Sequence, residues 1–114
     1  MIGFGQGWTK TFETKYQSYG RSVQQTTDGG YIILGETNSI VGDSMNVYLL
    51  KTDASGIEQW TKTFGGTDDR GYSVQQTTDG GYIIVGETFS FGNGNSDVYL
   101  IKTDGSGTEQ WTKT

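Results

Sequence analysis

Short stretches of apolar, aromatic and threonine residues alternate with glycine- and aspartate-rich turns along the chain. In the second half, turns at Asp79-Gly80-Gly81 and Asp104–Gly107 separate segments rich in residue types that favour strands. We predict strands at Tyr72–Thr77, Tyr82–Thr88, Asp97–Thr103 and Glu109–Thr112, and in the first half at Ser22–Thr26, Tyr31–Thr37, Asn46–Thr52 and Glu58–Phe64. Each half is therefore predicted to form a four-stranded antiparallel unit.

The second and third strands of each unit are continuous apolar runs and not alternating ones. Tyr31-Ile32-Ile33-Leu34 and Val47-Tyr48-Leu49-Leu50 are the examples in the first unit. A strand that is apolar on both faces is covered on both faces. We therefore expect each sheet to be packed between two others.

One block of the sequence occurs twice. The segment Ser22–Thr37 recurs 51 positions later as Ser73–Thr88, with only Leu34 replaced by Val85, and the run WTKT occurs three times, at Trp8, Trp60 and Trp111. Repeated four-stranded meanders of this length, covered by neighbouring copies, are typical of β-propeller blades. We predict a lead-in at 1–7, a first blade at 8–59 that includes the preceding WTKT strand, and a second blade at 60–114.

Composition supports an all-β fold and narrows the chemistry. The 114 residues include 19 glycines, no proline, no cysteine and no histidine, and only 32% are hydrophobic. Without histidine or cysteine, the common nucleophile–base pairs and the thiolate or imidazole metal sites cannot be built. The net charge of −5 argues against nucleic acid or an anionic membrane as partner. We find no signal peptide and no apolar run long enough to span a membrane, and the localisation stays open.

The carboxylates are interpreted as structural. Asp68 and Asp69 are expected in a turn, and Glu36 and Glu87 at strand ends, solvated or paired with a lysine. Asp53 and Asp104 offer too few carboxylates for calcium and, like Asp28 and Asp79, are expected to accept backbone N–H bonds across their own turns. We predict no catalytic residue, no metal and no cofactor.

The run from Trp60-Thr61-Lys62-Thr63-Phe64-Gly65-Gly66 through Asp79-Gly80-Gly81 and Asp97–Lys102 to Trp111 resembles the tandem β-propeller repeats of bacterial and archaeal secreted or cell-surface proteins. The resemblance covers nearly everything after Gly7 and implies a propeller scaffold at the cell surface or outside the cell. That family strings enough repeats on one chain to close a ring, and two repeats do not.

The aromatic residues that recur at equivalent positions are candidates for contacts between blades. They are Trp8, Trp60, Trp111, Phe12, Phe64, Tyr31 and Tyr82. We interpret the tryptophans and phenylalanines as wedges between blades; the alternative is a shelf on which sugars stack. The loops at 38–45 and 89–96 differ most between the copies, which is where a scaffold would vary its contacts with a ligand.

The leading functional prediction is a non-enzymatic scaffold that closes into a ring with copies of itself. Three or four chains would give six or eight blades, with the extra WTKT strand at the junction. The alternative is a carbohydrate-binding, lectin-like ring that uses the variable loops, with a glycan or protein as ligand. A quinone-dependent dehydrogenase fragment is a third and weaker reading.

Overall fold

The computed structural model describes residues 7–12, 17–38, 45–66, 68–89 and 95–114. Within these ranges the chain forms strands and no helix, and accordingly no helix that could cross a membrane. The strands are β1 Ser18–Gln25, β2 Tyr31–Asn38, β3 Met45–Thr52, β4 Glu58–Phe64, β5 Asp69–Gln76, β6 Tyr82–Thr88, β7 Asp97–Thr103 and β8 Glu109–Lys113. The predicted all-β class is confirmed.

The strands form two four-stranded antiparallel sheets. Sheet A has the order β1-β2-β3-β4 and sheet B the order β5-β6-β7-β8, so each sheet is one uninterrupted meander. The two sheets use the same register: Ile33 lies opposite Leu50 in sheet A, and Ile84 lies opposite Ile101 in sheet B. Identical sequence blocks therefore take equivalent places, and residues can be compared between sheets 51 positions apart.

Tight turns connect the first two strands of each sheet. Gly29 and Gly80 have φ values of +87° and +85°, a left-handed conformation that glycine adopts without a steric penalty. The preceding aspartates, Asp28 and Asp79, accept hydrogen bonds from the N–H groups of Gly30 and Gly81. The prediction that these aspartates stabilise their own turns is confirmed.

The first strand of each sheet is longer than predicted. β1 begins at Ser18 and β5 at Asp69, several residues before the predicted starts at Ser22 and Tyr72. A β-bulge explains the error, because one residue between Gly20 and Ser22, and again between Gly71 and Ser73, has no partner on the neighbouring strand. The bulge shifts the side-chain alternation by one residue, so the segment before it does not read as a strand.

The extra strand predicted at Trp8 is not a strand within this chain. Gly7–Phe12 carry no strand assignment. Trp8 instead packs its ring edge-on against Tyr31, with ring centroids 5.8 Å apart, so the segment lies over a face of sheet A and not beside a strand edge. Its backbone therefore has no ladder partner there.

The core lies between the two sheets. β5 packs across β1, β2 and β3, and the buried cluster combines side chains from both sheets. The first and second halves of the chain therefore share one hydrophobic core.

Candidate interaction surfaces

Each sheet has two apolar faces, which we call front and back. The front face of sheet A carries Ile32, Leu34, Val47, Leu49 and Trp60, and that of sheet B carries the equivalent Ile83, Val85, Val98, Leu100 and Trp111. The back face of sheet A carries Val23, Tyr31, Ile33, Tyr48 and Leu50, and that of sheet B carries Val74, Tyr82, Ile84, Tyr99 and Ile101.

The front face of sheet A packs on the back face of sheet B, and we call this contact the internal junction. Ile32, Leu34, Val47 and Leu49 have no exposed surface, and they join the same cluster as Ile84 and Ile101 of sheet B. Leu34 packs directly over Gly71, where an added Cβ would lie 2.9 Å from the leucine. Because Gly71 has no side chain, it leaves the space beside the bulge that the Leu34 side chain fills.

Polar contacts fix the register of the internal junction. Gln24 Oε1 accepts a hydrogen bond from the backbone N–H of Gln76 at 2.7 Å, and Ser22 Oγ accepts one from the N–H of Val74 at 3.4 Å. The Gln76 side chain in turn accepts from the N–H of Thr27 at 2.9 Å. Side chains of β1 thus satisfy backbone donors on the free edge of β5, which would otherwise stay open for another strand.

Trp60 belongs to β4, the outer strand of sheet A, and its side chain reaches across the internal junction to sheet B. Its ring is 6.1 Å from that of Tyr82, and its Cζ3 atom would be 2.6 Å from a Cβ on Gly107. Lys62 lies over the same glycine, with Cγ at 3.0 Å from that Cβ position. β4 therefore belongs to sheet A by its hydrogen bonds and covers sheet B with its side chains.

Trp8 makes the same contacts one sheet earlier. Its Cζ3 atom would be 2.7 Å from a Cβ on Gly56, its ring faces Tyr31, and Lys10 Cγ is at 3.0 Å from the same Cβ position. Gly56 and Tyr31 are the equivalents of Gly107 and Tyr82. The Trp8 segment, residues 7–12, therefore lies on the back of sheet A as β4 lies on the back of sheet B.

The front face of sheet B exposes apolar side chains in the described part of the chain. Val85 is 38% exposed where Leu34 is fully buried, and Val98 is 68% exposed where Val47 is fully buried. Trp111 is also exposed. The expectation that both faces of each sheet are covered thus holds for only one face of sheet B. An apolar surface of this kind marks an interaction site.

The back face of sheet A is only partly covered. Val23 is 63% exposed, whereas its equivalent Val74 is 6% exposed inside the internal junction. Three grooves adjoin Ile33, the largest of about 450 Å³ between the Trp8 segment and Tyr31. Gly20, the equivalent of Gly71, has no atom of a described residue within 4 Å of its Cβ position. Among the described residues, none takes the place on sheet A that Leu34 fills on sheet B.

A lysine braces the hairpin end of each sheet, buried at Lys51 in sheet A and half-buried at Lys102 in sheet B. Lys51 Nζ donates to Asp28 Oδ2 at 3.0 Å, to the carbonyl of Thr52 at 2.8 Å and to Gln59 Oε1 at 3.1 Å. Lys102 repeats the arrangement with Asp79, Thr103 and Gln110. The Thr26 hydroxyl, the Gly30 N–H and Lys51 lower the pKa of Asp28 to about 2, and the matching groups do the same for Asp79. These groups stabilise the turn and leave the lysine charge compensated.

The turn aspartates of the second hairpins behave as predicted. Asp53 Oδ1 accepts from the N–H groups of Ser55 at 2.8 Å and Ile57 at 3.0 Å, and Asp104 Oδ1 accepts from those of Ser106 and Thr108. The pKa of Asp104 is lowered by the hydroxyl of Ser106 and then by the Thr108 N–H. In both turns the backbone donors converge on Oδ1 of the aspartate.

Two expectations about carboxylates were wrong. Asp69 lies in β5 and not in a turn; it is fully buried, and it accepts hydrogen bonds from the Thr88 hydroxyl and from the Gly66 N–H, the latter at 2.6 Å. Glu36 is buried and pairs with Arg21 at 2.9 Å, not with a lysine or solvent. Glu87 accepts instead from the Tyr72 hydroxyl at 2.6 Å. In both sheets the donor to this glutamate belongs to the unpaired residue of the β-bulge, which is Arg21 in sheet A and Tyr72 in sheet B.

Most of the predicted aromatic residues lie either in the internal junction or on the back of sheet A. Trp60, Phe64 and Tyr82 meet in the internal junction, while Trp8, Phe12 and Tyr31 meet on the back of sheet A. Among these aromatic residues, Trp111 lies on the front of sheet B and is exposed. The variable loops at 38–45 and 89–96 lie mostly outside the described residues, so the proposed ligand surface there stays a prediction.

Sequence reasoning missed the polar part of the junction. Ser22, Gln24 and their equivalents Ser73 and Gln75 are identical in the two copies and flank a valine in the first strand of each sheet. The signal available in the sequence was a polar residue that is identical in both copies and adjacent to a buried position. Gly20 and Gly71, which make room for the next sheet, were missed in the same way.

Comparison with protein-family models and with curated proteins gives no match for this chain. Among the described residues, no group of three or more carboxylate side chains is placed to hold a metal ion. Apolar side chains are exposed on the front of sheet B, at Val85, Val98 and Trp111, and on the back of sheet A, at Val23.

Proposed function

We propose that this chain is a two-blade unit of a β-propeller, a non-enzymatic scaffold that closes into a ring by head-to-tail contact with copies of itself. The observation that carries the proposal is the internal junction. The front of sheet A buries itself on the back of sheet B, and the same front on sheet B and the same back on sheet A stand open. A second copy offers each open face the partner that its equivalent already has.

The internal junction supplies the contacts expected between copies. Val85 of one copy would fill the place at Gly20 of the next, as Leu34 fills that at Gly71. Gln75 of one copy would accept from the Gln25 N–H of the next, as Gln24 accepts from Gln76. Both the apolar and the polar parts of the contact are therefore matched.

The proposed contact is heterologous, because the front of one chain meets the back of another. Such contacts generate a closed ring when the rotation per chain divides a full turn, and an open filament when it does not. Propellers have four to eight blades, so a two-blade chain closes with two to four copies. We expect three or four chains, since bulky aromatic residues on the faces hold the sheets apart at the rim.

Two single substitutions test the head-to-tail geometry. Val98→Arg places a charge on the front of sheet B, and Val23→Arg places one on the back of sheet A. Both side chains are exposed in the chain, so neither change disturbs its core. We expect each variant alone to be monomeric in analytical ultracentrifugation, because each lacks one of the two faces.

The mixture of the two variants decides the matter. The Val23→Arg chain keeps its front and the Val98→Arg chain keeps its back, so an equimolar mixture should form a one-to-one dimer that grows no further. A mixture that stays monomeric would contradict the proposal. Retention of the parent assembly by either single variant would contradict it as well.

A further inference from the structure

The run WTKT occurs three times in a chain that forms two sheets. Each sheet needs one such outer strand, so a closed ring has one surplus copy for each chain. Trp60 belongs to β4 and Trp111 to β8, whereas Trp8 lies on the back of sheet A without a strand partner. In the internal junction, the outer strand of one sheet places its tryptophan over the next sheet. When a second copy docks its sheet B on this sheet A, its outer strand must occupy the place that the Trp8 segment already holds.

We propose, on the basis of the ring described above, that the Trp8 segment itself is that outer strand. It pairs antiparallel with β7 of the neighbouring copy, with Trp8 opposite Lys102 and Phe12 opposite Val98 of that copy. The β8 strand of the neighbour is displaced. Each chain thus finishes the last sheet of the next by exchanging one strand, which leaves the number of strands per sheet unchanged.

The position of Trp8 is the first argument. Trp8 and Lys10 already meet Gly56, and Trp8 meets Tyr31, in the geometry that Trp60 and Lys62 adopt at Gly107 and Tyr82. The segment needs no rearrangement on its own sheet to serve as the neighbour's outer strand. Because it is attached to the sheet that the neighbour docks on, its pairing adds contacts without a further association step.

The exposure of Val98 is the second argument. In sheet A, Val47 of β3 lies opposite Phe64 of β4, and both side chains are buried. In sheet B, Val98 is the equivalent of Val47 and is 68% exposed. Phe12 occupies the position of Phe64 in the run WTKTF. The Trp8 segment therefore brings the aromatic side chain that would cover Val98.

A matched pair of substitutions separates the two candidate strands. We expect Trp8→Ala to weaken assembly of the full chain by at least tenfold, and Trp111→Ala to change it by less than twofold, as measured by concentration-dependent native mass spectrometry. Loss of assembly in Trp111→Ala with assembly kept in Trp8→Ala would overturn the inference and leave the ring proposal standing. Equal losses in both variants would also overturn it. A monomeric parent chain would instead remove the ring proposal itself.

A disulfide experiment tests the register without removing a tryptophan. The chain has no cysteine, and positions 12 and 98 lie on opposite outer faces of its two sheets, so a bond between them joins two chains. Directly opposed positions on antiparallel strands are within reach of a disulfide. We expect Phe12→Cys with Val98→Cys to give covalent multimers under mild oxidation. The control pair, Leu100→Cys with Lys113→Cys, reports β8 pairing. A bond within the chain in the assembled control pair, with no multimers from the first pair, would overturn the inference.

Discussion

Trp60 lies so close to Gly107 that a Cβ on this glycine would be 2.6 Å from the indole ring. The glycine also has a φ of +82°, a conformation that disfavours side chains independently of the tryptophan. The hairpin between β7 and β8 is therefore shaped to receive an aromatic ring from the preceding sheet. The same relationship between Trp8 and Gly56 is what marks the place of an outer strand on sheet A.

Substitution at this glycine measures the contact. Gly107→Ala should lower the free energy of unfolding by about 2–3 kcal/mol, because backbone strain and overpacking against Trp60 add. Gly80→Ala is the control: Gly80 has a φ of +85° but no atom within 4 Å of its Cβ position, so it should lose only about 1 kcal/mol. Urea unfolding at one protein concentration compares them. Equal losses would show that Trp60 does not pack on Gly107.

Removal of the Trp60 ring should destabilise the internal junction. Trp60 packs on the buried cluster and beside Tyr82, so Trp60→Ala should cost roughly 3 kcal/mol, at the low end for large aromatic truncations because the ring is half-buried. Ile57→Ala, on the exposed side of the neighbouring hairpin, should change the unfolding free energy by less than about 0.5 kcal/mol. Thermal and urea unfolding provide the measurement. A Trp60→Ala chain as stable as the control would rule out the wedge.

Equivalent glutamines should differ in what they stabilise. Gln24→Ala removes the acceptor of the Gln76 N–H inside the chain and should cost about 1–2 kcal/mol in unfolding free energy. Gln75 is exposed and is proposed to serve the next copy, so Gln75→Ala should leave the single chain intact and weaken association about tenfold. Unfolding and association are measured on both variants. If neither substitution weakened association, that result would argue against a repeated junction.

Stability should fall in acid through the turn aspartates. Asp28 and Asp79 have a pKa of about 2 in the folded chain against an ordinary 3.8, so the unfolded chain takes up protons first as the pH falls. Their contribution is complete above pH 4 and is lost progressively as the pH falls towards 2. The double variant Asp28→Asn, Asp79→Asn should show a shallower pH dependence of the urea midpoint in that window. An unchanged slope would mean that other groups control it.

Much of the fold could be predicted because the strand signal is local. Turns at Asp28-Gly29-Gly30 and Asp79-Gly80-Gly81 and the apolar runs after them predict β2 and β6 within a residue at each end. The starts of β1 and β5 could not be predicted, because the bulges beside Gly20 and Gly71 break the alternation on which strand prediction depends. The burial of Asp69 was missed for a different reason: its donors, Thr88 and Gly66, are brought to it only by the folded sheet.

The interaction surfaces, like the fold, could be predicted from the sequence only in part. Recurrent aromatic residues predict where two sheets meet, since Trp60 and Tyr82 carry their signal in the sequence. Which face stays open depends on how many copies the chain contains and on how the sheets stack. The exposures of Val85, Val98 and Val23 therefore come from the structure alone.

Native mass spectrometry of the unmodified chain at micromolar concentration tests the central proposal most directly. We expect one dominant species of three or four chains, with little of the intermediate sizes, because a closed ring satisfies every open face at once. A folded monomer as the dominant species would contradict it, since the exposed front of sheet B and the partly covered back of sheet A would then need no second copy.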